Sequence, residues 1–325
     1  MTAATDTPSR LKLALAFACV YVIWGSTYLG IRFAIETMPP LLMAGIRFLI
    51  AGALLYLWVA LRGEARRPTR EQWTAAAVLG ILFFLGGNGG VSWAEQRVPS
   101  GLAALLVATI PFWLVMMEWL SGSGMRPSVR VMAGIAAGFA GVALLVGSPG
   151  AGAGVDRVGA AVLIVAPMCW ALGTVISRRL SHPASHLQSG AMQMLAGGGA
   201  LVLVGLAMGE GARFRPDAVS SRSLLALLYL IFFGSIVAFS AYNWLLHATT
   251  PARVGTYAFV NPAVAVLLGW AFAGEAVGPM TLIAGAFILT GVILIVGQRS
   301  KSAAAQPKPA PSAPLTTSPQ PPVSS

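Results

Sequence analysis

Long apolar runs separated by short polar segments dominate the chain. Each run has about 20 residues, enough for a helix to cross the roughly 30 Å hydrocarbon core of a bilayer. No run alternates apolar and polar residues over a strand of about ten residues, so a membrane β-barrel is not favoured. The pattern predicts an all-α membrane protein with ten transmembrane helices. The predicted spans lie near residues 11–31, 41–61, 73–93, 100–120, 129–147, 158–178, 187–208, 224–246, 254–273 and 280–297.

Composition agrees with a membrane-embedded chain. Only 10% of the 325 residues are charged, against about 25% in an ordinary soluble domain, and the mean hydropathy is +0.77. The lipid bilayer is therefore the expected environment. The first apolar run is long and lacks a convincing small-residue cleavage site, so we interpret it as a retained span and not as a signal peptide. The Pro-, Ala- and Ser-rich stretch at 299–325 predicts a disordered tail.

The distribution of positive charge predicts the orientation. Of the 21 Lys and Arg residues, fourteen fall on one side of the predicted spans, six fall on the other, and Arg47 lies inside a span. Because cytoplasmic loops carry the excess of Lys and Arg, both termini, including residues 1–10, should be cytoplasmic in a multi-pass inner membrane protein. The charges are dispersed among loops and form no single patch, so nucleic-acid binding is not expected.

The sequence contains no recognisable enzymatic or metal-binding motif. Cys19 and Cys169 lie inside apolar runs, and the three histidines fall at segment ends or in loops, so neither a disulfide framework nor a metal site is expected. No Walker motif, HExxH, GxSxG with a His, or intramembrane aspartate pair occurs. We therefore expect neither enzymatic activity nor a cofactor, and no ATP-driven step within this chain.

The first half of the chain is similar to the second. CVYVIWGSTYLGIR (19–32) aligns with VAPMCWALGTVISR (165–178), and GVALLVG (141–147) with GVILIVG (291–297). VATIPFWLVMMEWL also aligns with AFVNPAVAVLLGW, which places Pro111 on Pro262. Residues 11–147 and 158–298 thus form two five-helix repeats. Five is odd, so the second repeat must be inverted, as in many secondary transporters whose sites lie between the halves.

Three stretches, WGSTYLGIR, GGNGGVSWAEQRVPSGLAALLVATIP and NPAVAVLLGWAFAGEAVGP, resemble the drug/metabolite transporter superfamily, EamA-type, in its YedA-like branch. The resemblance covers about residues 11–298. It implies an EamA-type transporter fold of ten helices, cytoplasmic termini, a central cavity, and export of small metabolites such as amino acids or related compounds, drugs included. The second half carries the family's Gly-Glu as Gly274 and Glu275, whereas the first half has Gly124 where Glu would stand.

Several polar residues inside the spans are unusual for a lipid-facing helix. Arg47 requires a partner, either a carboxylate or a substrate anion, unless its side chain extends to the membrane surface; the aligned residue in the second half is Gln193. Asn88, Ser92 and Glu95 share one helix face, because their spacing is i, i+4 and i+7. Glu95 should face a wet cavity or lie solvated at the interface. Neighbouring Gly86, Gly89 and Gly90 predict close helix packing.

We predict a substrate cavity formed by polar and aromatic residues at matching depths in the two halves. Pro111 and Pro262 should kink their helices and expose a backbone carbonyl at mid-depth. Glu95 and Glu275 are candidate proton-binding or gating carboxylates. The predicted cavity residues are Trp24, Tyr28, Arg47, Asn88, Ser92, Thr109, Trp113, Trp170, Tyr242, Asn243, Tyr257 and Asn261.

The sequence thus predicts a secondary transporter that exports a small-molecule metabolite by alternating access between two repeats. A channel or facilitator, or a membrane scaffold without transport activity, is the alternative. Nothing in the residues specifies the substrate, the energy source or the oligomeric state.

Overall fold

The computed structural model describes residues 9–120, 127–147, 156–249 and 251–305, and within these ranges the chain is helical with no strand. Ten apolar helices, α1 to α10, account for most of it. In chain order they are Arg10–Ala34, Pro40–Leu61, Arg70–Ala94, Ser100–Leu120, Val129–Gly147, Arg157–Ser177, His186–Ala207, Ser221–Leu245, Tyr257–Ala273 and Pro279–Ala305. Shorter helices at Glu210–Arg213, Pro216–Ala218 and Pro251–Val254 lie between them.

Nine of these ten described helices are long and apolar enough to cross a membrane. The exception is α9, whose 17 residues rise only about 25 Å at 1.5 Å each. The sequence-based span 254–273 was therefore wrong at its start. Gly255 and Thr256 separate α9 from the short helix before it, and the Thr256 hydroxyl donates a hydrogen bond to the carbonyl oxygen of Arg253 over 2.6 Å.

The last helix is longer than the sequence indicated. It continues to Ala305, so the stretch from residue 299, assigned above to a disordered tail, begins as helix. The rest of that tail, residues 1–8 and Gly124 lie outside the described ranges.

The two aligned prolines, Pro111 and Pro262, lie in different backbone conformations. In α4 the helix stops at Val107 and resumes at Ile110, so Pro111 is the second residue of a new helical segment. The Thr109 hydroxyl donates to the carbonyl oxygen of Leu106 over 2.6 Å across this break. Pro262 instead lies inside the continuous helix α9, and α6 contains Pro167 in the same manner.

Three spans contain π-helical turns, which the apolar pattern did not predict. They occupy Cys19–Ile23 in α1, Ile81–Gly89 in α3 and Leu230–Val237 in α8. π-Helical turns are rare and frequently lie at functional sites, because the extra residue per turn displaces the hydrogen-bond ladder. The turns in α3 and α8 bring Asn88 and Ser235 towards the centre of the bundle.

Glycines allow the helices to approach closely, as predicted for the glycine-rich stretch. A Cβ atom added at Gly89 would lie 2.6 Å from Leu201 Cδ2, and one added at Gly86 would lie 2.8 Å from Cys169 Sγ. Gly80 and Gly197 bring α3 against α7 in the same way. Helix α2 packs along α7, and α5 packs along α10, so these two pairs frame the bundle.

The bundle has two ends, which we name by their residues. The Glu95 end contains the segments 35–39, 95–99, 208–220 and 274–278, and the N-terminal end contains Arg10 and the segments 62–69 and 178–185. Contacts between distant segments define each end. Ser220 N donates to Thr37 Oγ1 over 3.2 Å at the Glu95 end, whereas Gln72 Nε2 donates to the carbonyl oxygen of His182 over 3.2 Å at the N-terminal end.

Candidate functional site

A central cavity of about 350 Å³ lies among eight of the ten helices. Helices α1 to α4 line it from one half of the chain, and α6 to α9 line it from the other. It begins near Val91 and reaches Ser177, the last residue of α6. The cavity is therefore closed towards the Glu95 end and extends towards the N-terminal end.

Arg47 is the only charged side chain among the described residues that line this cavity. It is 4% exposed, so its side chain does not extend to the membrane surface. Its Nε atom donates to Ser235 Oγ over 2.8 Å, and its guanidinium carbon lies 4.6 Å from the centre of the Phe48 ring. No carboxylate oxygen of the described chain forms an ion pair with it. A buried cation of this kind can bind a solute anion.

Three carboxylates at the Glu95 end, those of Glu36, Glu95 and Glu275, are engaged elsewhere or unpaired and form no ion pair with Arg47. Glu36 Oε1 lies 3.4 Å from Arg222 Nη1. Glu275 accepts hydrogen bonds from the backbone N–H groups of Ser100 and Gly101, at 2.6 and 3.0 Å, and thereby caps the first turn of α4. Glu95 is fully buried and does not line the cavity. The prediction that Glu95 faces water, in a cavity or at the interface, was therefore wrong, because the surrounding helix ends cover it.

Aromatic side chains form the wall of the cavity on the N-terminal side. Trp24 Nε1 donates to the carbonyl oxygen of Gly234 over 3.1 Å, which fixes the indole. The Trp24 ring centre lies 5.0 Å from that of Tyr242 and 5.4 Å from that of Tyr257. Across the cavity, Trp170 packs against a phenylalanine of the α3 π-helical turn. Such walls suit an amphipathic solute, because the faces of the rings can contact its apolar part.

Three amide side chains add further polar atoms to the cavity. Asn88 Nδ2 donates to the carbonyl oxygen of Phe83 over 3.0 Å. Asn261 Oδ1 is buried and has no hydrogen-bond partner in the described chain. Gln193 Nε2 donates to Ser189 Oγ over 3.1 Å. Each of these three side chains lines the cavity.

The structure brings eight of the twelve predicted cavity residues together. They are Trp24, Tyr28, Arg47, Asn88, Trp170, Tyr242, Tyr257 and Asn261.

Four predicted cavity residues lie elsewhere. Ser92 is buried one turn beyond Asn88, and Thr109 is buried and bonded to its own helix. Trp113 packs against Phe139 of α5, with ring centres 5.2 Å apart. Asn243 lines a separate groove at the N-terminal end, because adjacent residues on a helix point about 100° apart and Tyr242 occupies the cavity side.

A second cavity of about 320 Å³ adjoins the first and is lined by both Pro111 and Pro262. The two cavities share Tyr28, Val107, Ile110, Tyr257 and Asn261. The aligned prolines therefore face one space between α4 and α9, although only one of them follows a helix break.

Sequence reasoning missed several lining residues. Thr27, Thr174, Ser177 and Ser235 carry hydroxyls that are too common in transmembrane helices to stand out. Gln193 had a usable signal, since it aligns with Arg47, and Pro167 had one as a proline inside an apolar run.

The EamA-like transporter family matches residues 11–147 and 157–297. The uncharacterized inner membrane transporter YedA of Escherichia coli strain K12 is 40% identical over 286 residues, covering 88% of this chain and 90% of YedA. PecM of Dickeya dadantii is 28% identical over 279 residues, covering 84% and 88%. A solved crystal structure at 22% identity covers 88% of this chain and 98% of its own, with a TM-score of 0.59, and shows a similar fold.

Proposed function

The chain belongs to the EamA-like transporter family, and we propose that it exports small metabolites, such as amino acids, by alternating access through the central cavity. The observation that carries this proposal is Arg47. It lines a closed-ended cavity, is 4% exposed, and has no carboxylate partner within the described chain. A solute carboxylate would supply the missing anion.

The chemistry of the cavity supports a small amphipathic solute. A volume of about 350 Å³ lies within the roughly 300–1,000 Å³ range of small-molecule sites. Arg47 would bind the carboxylate, and the Asn261 carbonyl oxygen would accept a hydrogen bond from an ammonium group. Trp24, Tyr242 and Tyr257 would contact the side chain of the solute.

The packing pattern supports two inverted five-helix repeats, residues 11–147 and 158–298, with the cavity between them. Helix α1 packs against α8 and α9, and α6 packs against α3 and α4. A two-fold relation between the halves would exchange α1 with α6, α8 with α3 and α9 with α4. This exchange turns the neighbours of α1 into the neighbours of α6, as such a relation requires. Pairs α2–α7 and α5–α10 convert into themselves.

With both termini cytoplasmic, as the charge distribution predicts, the structure would correspond to an inward-open state. The Glu95 end would face outwards, closed by contacts such as that of Arg32 Nη1 with the carbonyl oxygen of Glu95 at 2.7 Å. The cavity would open to the cytoplasm near Ser177. Export would then require the two ends to exchange roles.

Reporter fusions test this orientation. We expect fusions after residues 70, 155, 182 and 215 to report inside, outside, inside and outside, because of the fourteen-to-six distribution of Lys and Arg. An external signal after residue 70 or 182 would contradict it.

Counterflow in liposomes tests the transport function. Purified protein would be reconstituted with a panel of amino acids and cationic drugs inside, and uptake of trace labelled solute would be followed. A carrier shows saturable counterflow, whereas a channel gives flux without exchange and a scaffold gives no flux. The result expected is counterflow of at least one carboxylate-bearing solute.

A further inference from the structure

Glu95 is a buried carboxylate that the described chain leaves without a partner. Its side chain is fully buried, and neither Oε1 nor Oε2 has a hydrogen-bond partner. The hydroxyls of Ser92 and Ser100 are likewise buried and unpaired. Buried carboxylates are normally paired or hydrogen-bonded, because an isolated ionised group loses its hydration without compensation.

Glu95 lies between the cavity and the exposed surface of the Glu95 end. Val91, one helical turn earlier, lines the closed end of the cavity, and Gln96, the next residue, is exposed. The carboxyl group therefore occupies the barrier that a solute must cross if this end opens.

The charged and titratable groups that face Glu95 are committed to other atoms or do not reach its oxygens. Tyr28 and Arg32 approach from α1, Arg47 from α2, and Glu275 from the segment after α9. Arg32 donates to the backbone oxygen of Glu95, 2.7 Å away. Glu275 caps α4, and Arg47 bonds to α8.

The start of α6, which also packs near the last turn of α3, offers Glu95 no partner either. There Asp156 accepts from Gly159 N over 2.6 Å and lies 3.9 Å from Arg97 Nη1.

We propose that Glu95 is a proton-binding site, which carries a proton while the Glu95 end is closed and releases it when that end opens to water. This rests on the proposed alternation between two open states. A neutral carboxyl group can remain buried without a counter-ion, whereas opening would hydrate the group and allow it to ionise. The proton is then a ligand of the closed form, and low pH at this end favours closure.

Glu95 is distinguished from Glu275 by this argument. Both carboxylates lie at the same end, but the oxygens of Glu275 accept hydrogen bonds from two backbone N–H groups. Glu275 has a structural role at the helix end. The carboxyl group of Glu95 is buried and has no such hydrogen bonds.

Infrared spectroscopy of the full-length protein in nanodiscs, without solute, tests the protonation. At neutral pH we expect a carbonyl band of a protonated carboxyl group, lost in Glu95→Gln. Glu36→Gln is the matched control, because Glu36 is partly exposed and lies 3.4 Å from Arg222; it should keep the band. If Glu95→Gln does not fold, Glu95→Asp should shift the band. A wild-type spectrum without the band, or an unchanged one in folded Glu95→Gln, would overturn the proposal.

Spin labels test the link to opening. Cys19 and Cys169 would first be replaced by Ser, and single cysteines for labelling would then be introduced at Gln96 and Ala212. Both positions are exposed at the Glu95 end. The distance between labels should increase as pH rises with Glu95 present and stay at the closed value with Glu95→Gln. A band without any pH-dependent distance would overturn the link to opening. Because neither measurement needs a solute, failure of counterflow alone would count against transport and not against the proton site.

Discussion

Helix starts are capped in different ways at the two ends of the bundle. At the Glu95 end, carboxylates cap helices that are distant in sequence: Glu210 accepts from the N–H groups of Leu41 and Leu42, at 3.3 and 2.9 Å, and Glu275 caps α4. At the N-terminal end, Thr69 and Ser185 cap the helices that they begin. These two caps at the Glu95 end are therefore tertiary contacts, whereas the two caps at the N-terminal end are local.

This difference indicates at which end helix caps would be broken when the helices move apart. Local caps survive when helices move apart, because cap and helix move together. A cap supplied by another helix is lost unless both move as a unit. Opening of the Glu95 end would therefore have to keep Glu210 with α2 and Glu275 with α4, or break charge-assisted hydrogen bonds. The following predictions test this contrast, beginning with the largest effect.

Glu210→Ala should destabilise the protein most. It removes a 1% exposed carboxylate and leaves two N–H groups at the start of α2 unpaired. Hydrogen bonds to charged groups contribute about 1.5–3 kcal/mol each, so we expect a loss of about 3 kcal/mol in the free energy of unfolding, measured by denaturant titration in detergent. Asp217→Ala is the control, because Asp217 is exposed and pairs with the exposed Arg215. Equal stability of the two variants would show that the distant cap contributes nothing.

Arg47→Gln should weaken solute binding while leaving the fold intact. Arg47 lines the central cavity, and loss of a charge-assisted hydrogen bond of about 1.5–3 kcal/mol corresponds to a loss of roughly 10- to 100-fold in affinity. Counterflow with the wild type's best solute measures it. Arg215→Gln, an exposed arginine paired with Asp217, is the matched control. If Arg47→Gln binds the solute with wild-type affinity, Arg47 does not contribute to the proposed binding site.

Much of the fold follows from the sequence, because the helices are set by apolar length. The approximate positions of the loops could be predicted from the apolar runs. Arg47, Asn88 and Asn261 could be predicted as cavity residues because they are polar residues inside those runs. What could not be predicted depends on tertiary geometry. Nothing local marks Glu210 as the cap of α2, and periodicity that assumes 3.6 residues per turn fails across the π-helical turns. The same limit explains why Ser92 was assigned to the cavity.

The aligned prolines connect the two ends through α4 and α9. We propose that they kink these helices and provide bending during the transport cycle, since both line the second cavity. Pro111→Ala would allow α4 to form a continuous helix across its break at Thr109. Pro262→Ala would add only one backbone hydrogen bond, within a helix that is already continuous. We therefore expect a several-fold slower turnover in Pro111→Ala and a smaller change in Pro262→Ala. Pro279→Ala, at the first residue of α10, is the control; full turnover in both variants would assign the prolines to packing.

Thr69→Ala should have the smallest effect, and it tests the local side of the contrast. The Thr69 hydroxyl accepts from Gln72 N over 3.2 Å, and Gln72 Oε1 accepts from Thr69 N over 3.1 Å, so the two residues form a capping box. Loss of such a cap costs about 1 kcal/mol, and Thr69→Ser should restore it. Because this cap moves with α3, stability should fall slightly while counterflow stays at the wild-type rate. A loss of stability as large as that of Glu210→Ala would show that the two ends do not differ in the way that their contacts indicate.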